Sequence, residues 1–110
     1  MQIQLENVEQ ISNQLIVHSD LARDYFVKAL ADARQLKIHS VEQNLEKAQT
    51  ELELAQKLEA DLLEREKQGE GPELSLHLVH AQGHVMNATT IGYLTKEIIN
   101  IHTERVNKQF

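Results

Sequence analysis

Apolar residues recur every three or four positions along nearly the whole chain, in three long runs. In the first, from about Asn7 to Leu36, Val8, Ile11, Leu15, Ala22, Tyr25, Ala29, Ala33 and Leu36 keep the period of an amphipathic helix. Ser12, Asn13, Asp20, Arg23 and Asp24 then fall largely on the outer face, and His18 interrupts the seam. In the second run, which opens at Ser40, the seam is Val41, Leu45, Ala48, Leu52, Ala55 and Leu62, and charges such as Glu46, Lys47, Glu51, Lys57 and Glu59 cover the solvent side. In the third, from Ser75, the seam is Leu76, Val79, Gly83, Met86, Thr90, Tyr93, Ile98 and Ile101.

Two breaks separate the runs. The one at Leu36-Lys37-Ile38-His39-Ser40 is soft. The one at Gly69-Glu70-Gly71-Pro72 is hard, because Gly supplies a helix C-cap and Pro cannot continue a helix. Ser40 followed by Gln43 fits a capping box, and Ser75 is a second candidate N-cap. The pattern predicts helices over about 7–36, 40–68 and 75–106. Each is about 40 Å long at ~1.5 Å per residue. Matched lengths and short connections predict an all-α, antiparallel three-helix bundle, with residues 1–110 as one domain.

Composition agrees and narrows the chemistry. Good helix formers dominate, Pro occurs once, and with two Phe, two Tyr and no Trp the core must be aliphatic. The net charge is -6, with eleven Lys and Arg scattered among seventeen Asp and Glu. No basic stripe is available to displace counterions from nucleic acid, and anionic membranes are disfavoured for the same reason. No apolar run approaches the ~20 residues of a membrane span. Met1-Gln2-Ile3-Gln4-Leu5-Glu6 has neither the basic region nor the apolar core of a signal peptide, so a cytoplasmic location is expected. Cysteine is absent, which excludes a disulfide framework, a thiolate nucleophile and a Cys-based metal site.

Three of the six histidines, His77, His80 and His84, fall within eight residues of the last helix. At i, i+3 and i+7 they share one face beside the seam. His80 and His84 have the spacing of a helical zinc pair, but a zincin requires Glu directly after the first His and here that residue is Ala81. A His-only metal site needs a third ligand, which His77 reaches only by bending along the helix. No nucleophile–base–orienter set surrounds the triplet; only Glu73 and Ser75 are close in sequence. A covalent phosphocarrier is a further option. A neutral imidazole attacks phosphorus through one nitrogen while a neighbour holds the other, and the anionic product benefits from a nearby helix N-terminus. His80 lies about five residues inside the helix, with Gln82 and His84 as candidate polar neighbours. Surface histidines on a packed helix remain the plain alternative.

At these residues the chain resembles the IIA component of the lactose/cellobiose branch of the bacterial phosphoenolpyruvate-dependent sugar phosphotransferase system. The resemblance rests on Leu74-Ser75-Leu76, Leu78-Val79-His80-Ala81-Gln82 and His84-Val85-Met86, within a helix layout shared over nearly the whole chain. It implies a three-helix bundle assembling as a nine-helix homotrimer. It implies that His80 accepts a phosphoryl group from the histidine-containing phosphocarrier protein, HPr, and passes it to a cysteine of a cognate IIB component during uptake through a IIC channel. No cofactor is implied, and neither nucleic acid nor direct membrane insertion. Gln82 and His84 become neighbours of the catalytic His80.

Gly83 departs from the family, which usually has an aspartate there, on the trimer axis, sharing a cation; the chain is therefore expected to hold no metal at that position. A mid-helix glycine, disfavoured by roughly 0.5–1 kcal/mol against Ala, suggests close helix approach. Ala55-Gln56-Lys57-Leu58-Glu59-Ala60 lacks the histidine common in the family's middle helix, and the loop after the first helix lacks its Gly-Asp. A helical interaction or regulatory module that kept the scaffold and lost the chemistry is the alternative. Each bundle is expected to bury a second apolar stripe between chains, with Ile91 and Leu94 beside Gly83.

Overall fold

The computed structural model describes residues 2–71 and 75–109, with side chains described from Val8 to Lys108. Pro72 of the second break, Glu73, and Leu74 at the start of the motif lie outside the described residues. Three helices follow one another: α1 (Gln2–Arg34), α2 (Ile38–Lys67) and α3 (Leu76–Gln109), with no strand among the described residues. They make a rod of 62 × 20 × 19 Å. Helix α1 packs along both of its neighbours, whereas α2 and α3 scarcely touch each other. Cross-helix pairs set the register. His18 meets Glu51 and Asp32 meets Asn44, so α2 runs antiparallel to α1. Asn13 meets His77 and Asp20 meets His84, so α3 runs parallel to α1.

Helices α1 and α2 end with the same backbone device. After α1, Leu36 N–H donates to Ala33 C=O at 3.1 Å and Lys37 N–H to Asp32 C=O at 3.0 Å, the bonding of a Schellman cap. After α2, Gly69 N–H donates to Glu66 C=O at 3.0 Å and Glu70 N–H to Arg65 C=O at 2.8 Å. Gly69 takes the required left-handed conformation at φ +75°, while at the first turn Leu36 takes it at φ +60°. A branched side chain there explains why the first break looked soft: no Gly marks it. The proposed Ser40 capping box does not form. Helix α2 begins two residues earlier at Ile38, its N-cap is Lys37 without a side-chain bond, and Ser40 lies inside the helix. Ser75 does cap α3, its Oγ accepting the Leu78 N–H at 3.0 Å.

The core is aliphatic apart from one ring. Leu15, Ala22, Ala29, Ala48, Ala55 and Ala81 are fully buried together with Phe26, which the helical spacing passed over in favour of the half-buried Tyr25. Ser12 belongs to this seam as well and is completely buried, not on the outer face. The α2 seam is as expected, with Asn44 added and Leu45 half-buried; Asn44 donates to Asp32 Oδ2 at 2.8 Å.

The phase of α3 requires correction. The residues it buries within the chain are Leu78, Ala81, Val85, Ala88, Gly92, Thr95 and Ile99. The expected seam faces outward instead: Leu76 is 86 % exposed, Met86 69 % and Tyr93 68 %, with Val79, Ile98 and Ile101 about half exposed. Small residues let α1 approach closely. At Gly92 an added Cβ would lie 2.7 Å from Phe26 Cζ, whereas at Gly83 it would meet nothing within 4 Å. Close approach within the chain therefore occurs at Gly92, and not at Gly83.

Candidate functional site

The histidine face forms where the first turns of α3 lie beside the N-terminal half of α1. Ser75 fixes where α3 starts, and the alternation of Leu78, Ala81 and Val85 into the core turns His80 and His84 to the flank facing α1's polar side. The His80 ring is exposed and the His84 ring half-buried. Their Nε2 atoms are 3.1 Å apart, with ring centroids at 4.7 Å and planes inclined by 72°. On its other side, His84 Nδ1 lies 2.8 Å from Asp20 Oδ1 of α1. A carboxylate can only accept, so the proton of that bond sits on His84 Nδ1. Behind Asp20, Arg23 Nη1 is 3.6 Å from the same oxygen, while Arg23 Nε and Nη2 hold Asp24 Oδ1 at 3.2 and 3.1 Å.

The expected cluster is thus divided. His80 and His84 come together. His77 turns aside and its Nε2 meets Asn13 Oδ1 at 2.9 Å. Gln82 is half-buried and no hydrogen bond joins it to His80 within the chain; two residues on, it stands about 200° round the helix. Among the described residues no group of three or more His, Cys, Asp or Glu side chains converges as a metal site. His18, the histidine in the α1 seam, is half-buried and its Nδ1 lies 2.6 Å from Glu51 Oε2, tying α1 to α2 away from this site.

Asp20 is the site residue that the sequence pattern missed. Helical spacing places it largely on the outer face of α1, and no local motif links it to a histidine 64 residues away; only the register of α1 against α3 does so. Chemically, the arrangement offers an exposed imidazole with a second imidazole at hydrogen-bond distance, the second one held by a carboxylate. One proton lies between the two Nε2 atoms. It belongs to His80 when His84 is neutral and to His84 when His84 is an imidazolium.

Comparison with known proteins gives this site a context. The family model "PTS system, Lactose/Cellobiose specific IIA subunit" matches residues 10–103. The chain is 35 % identical over 104 residues to the lichenan-specific phosphotransferase enzyme IIA component of Bacillus subtilis, covering 94 % of each. The crystal structure of the PTS cellobiose-specific enzyme IIA from Bacillus anthracis superposes with a TM-score of 0.86 at 36 % identity, over 92 % of this chain and 93 % of that one. The IIA(Chitobiose) structure solved in complex with HPr from Escherichia coli gives a TM-score of 0.75 at 28 % identity, over 88 % of this chain and 94 % of the other. Sequence and fold therefore agree that this chain belongs to the lactose/cellobiose-specific IIA family of the phosphotransferase system, the phosphoryl-carrying components of sugar uptake.

Proposed function

We propose that the chain carries its phosphoryl group on His80, taking it from HPr and passing it to a cysteine of a cognate IIB component in the cytoplasm. The observation that carries this reading is the exposed His80 ring with His84 Nε2 only 3.1 Å from its own Nε2. The relative solved with HPr supports the donor. In the transfer, the His80 Nε2 lone pair forms a bond to phosphorus as the P–N bond of the donor phosphohistidine breaks. The electron pair of that bond returns to the donor's ring nitrogen, and the His80 proton stays on Nδ1. His84 as imidazolium moves its Nε2–H from the attacked lone pair to a phosphoryl oxygen, where negative charge must be held. Passage to IIB is the same exchange with a thiolate as nucleophile and His80 as leaving group.

The outward apolar stripe of α3 supports a homotrimer. Leu76, Val79, Met86, Tyr93 and Ile101 lie opposite the face that α3 turns to α1, and among the described residues Leu76, Met86 and Tyr93 stand largely exposed with Val79 and Ile101 about half exposed. Around a three-fold axis, three parallel copies of α3 bury that stripe together, with Gly83 on it and open to close approach. His80 and Gln82 stand on opposite edges of the stripe, each about 80° from its centre at about 100° per residue. One edge of each helix then meets the other edge of the next, so Gln82 serves the His80 of a neighbouring copy. With glycine at position 83 no carboxylates converge on the axis, and no metal is required there.

The test is incubation with phosphoenolpyruvate, enzyme I and HPr. One acid-labile, base-stable phosphate per chain is expected, absent in His80→Ala. Persistent labelling of His80→Ala would refute the assignment.

A further inference from the structure

We infer that Asp20 is a positioning residue for this transfer: from α1 it holds the His84 ring so that Nε2 faces His80, and it balances the charge His84 carries when it donates to the phosphoryl group. The inference rests on the carrier reading above. Its starting point is that, among the described residues, α1 itself offers an aspartate at position 20 only one partner, Arg23 at 3.6 Å. It lies deep inside a 33-residue helix, far from either end, where it can cap nothing. Asp is a poor helix-interior residue because its side chain competes for the backbone. Its i+4 neighbour is Asp24, a like charge on the same face. Arg23 answers Asp24 more closely than Asp20, at 3.1 Å against 3.6 Å. The shortest polar contact Asp20 makes is across to α3, 2.8 Å from His84 Nδ1. A residue that local helix physics disfavours and a distant imidazole explains is the pattern expected at a functional site.

The geometry supplies the mechanism. A half-exposed histidine free of Asp20 would distribute its proton between both ring nitrogens and turn about its side-chain torsions. The carboxylate puts the proton on Nδ1 and fixes the ring plane, leaving Nε2 aimed at His80. When His84 takes a second proton, that proton can only sit on Nε2, between the two rings. Orienting carboxylates of this kind act through the imidazole they hold and never touch the reacting phosphorus.

The experiment compares the full chain with Asp20→Asn, which keeps shape and an acceptor without the charge, and Asp20→Ala, which removes both. Single-turnover phosphorylation over a range of phospho-HPr concentrations, read as a maximal transfer rate (kcat) and a half-saturating concentration (KM), is followed together with ¹⁵N-detected NMR of the His84 ring. Asp20→Ala should lower kcat by about 10–100-fold, the range seen when the carboxylate behind a metal-binding histidine is removed. KM for phospho-HPr should stay within about twofold, and the His84 resonances should move from the Nδ1–H form toward a tautomer mixture. Asp20→Asn should fall between. Circular dichroism establishes that each variant is folded. Normal kcat in both variants, or an unchanged His84 tautomer in Asp20→Ala, would overturn the inference while His80 still takes label. Absence of label on the unsubstituted chain would instead overturn the carrier reading, and this inference with it.

Discussion

Replacing Gly92 by alanine tests the packing that positions α3. In most exposed helix interiors that substitution stabilises by roughly 0.5–1 kcal/mol, because glycine loses more backbone freedom on folding. At Gly92 the added Cβ would stand 2.7 Å from both Cε2 and Cζ of Phe26 and 3.3 Å from Cδ2. Non-bonded carbons rest at about 3.5–4.0 Å, so the ring must retreat by roughly 1 Å. It has little room: Phe26 is fully buried, packed with Ala22, Ala48, Leu52 and Ala88. Overpacking a closed core costs about 1–3 kcal/mol, which exceeds the helix-propensity gain and leaves a net loss of about 0.5–2 kcal/mol. For a chain of this size that is a fall in Tm of roughly 2–10 °C, measurable by circular dichroism. Phe26→Leu removes ring atoms from the contact, so Gly92→Ala combined with Phe26→Leu should be less destabilised than the two single changes summed. A Gly92→Ala protein with a raised Tm, or a strictly additive cycle, would show that α1 and α3 do not meet there as described.

Two further outcomes follow from the fold. Sedimentation velocity at micromolar concentration should give a trimer, and Met86→Glu, placing a charge at the centre of the outward stripe, should give monomers of unchanged helicity; a monomeric parent chain would remove the basis for the assembly. Partial burial raises the pKa of the Glu59 carboxyl on α2. A folded-state value above the unfolded one means the folded chain holds that proton more tightly, so this group's contribution to stability is present at low pH and lost as pH rises through the folded value. Glu59→Gln should therefore stabilise at neutral pH and lose that advantage in acid, as read by urea unfolding at the two pH values; an equal effect at both would contradict the burial argument.

Much of the site was legible because it is local. Ser75, His80 and His84 lie within ten residues of one another, and helical spacing alone brings His80 and His84 together, as the 3.1 Å contact bears out. His77 shares their face by spacing yet turns to Asn13, since at i and i+3 a side chain still has a choice of partner from the next helix. Asp20 was illegible for a related reason. Its partner is fixed by how far α3 is shifted along α1, and that shift depends on two turns and on the fit of Phe26 beside Gly92. Leu36 in a left-handed cap likewise carries no residue-type signal, because glycine is what normally announces that conformation.

Helix α3 raises a different difficulty, since its apolar residues fall on two opposite sides. Toward α1 it presents mostly small ones, Ala81, Ala88, Gly92 and Thr95, with Val85 among them and Leu78 and Ile99 at the two ends. Away from α1 it presents the larger Leu76, Met86, Tyr93, Ile98 and Ile101. A seam drawn through the largest apolar side chains lands on the outer stripe, as it did here, because periodicity reports a phase and not which partner that phase serves. Size separates the two. Close-packed helix pairs need small residues at the contact, whereas a large side chain left in water forgoes about 1.5–3 kcal/mol of burial. A helix that places its small residues against its own chain and its large ones outward is suited to two interfaces. The same phase puts His80 and Gln82 on the two edges of the outer stripe, so the proposed trimer would bury that stripe and give His80 a polar neighbour in a single assembly.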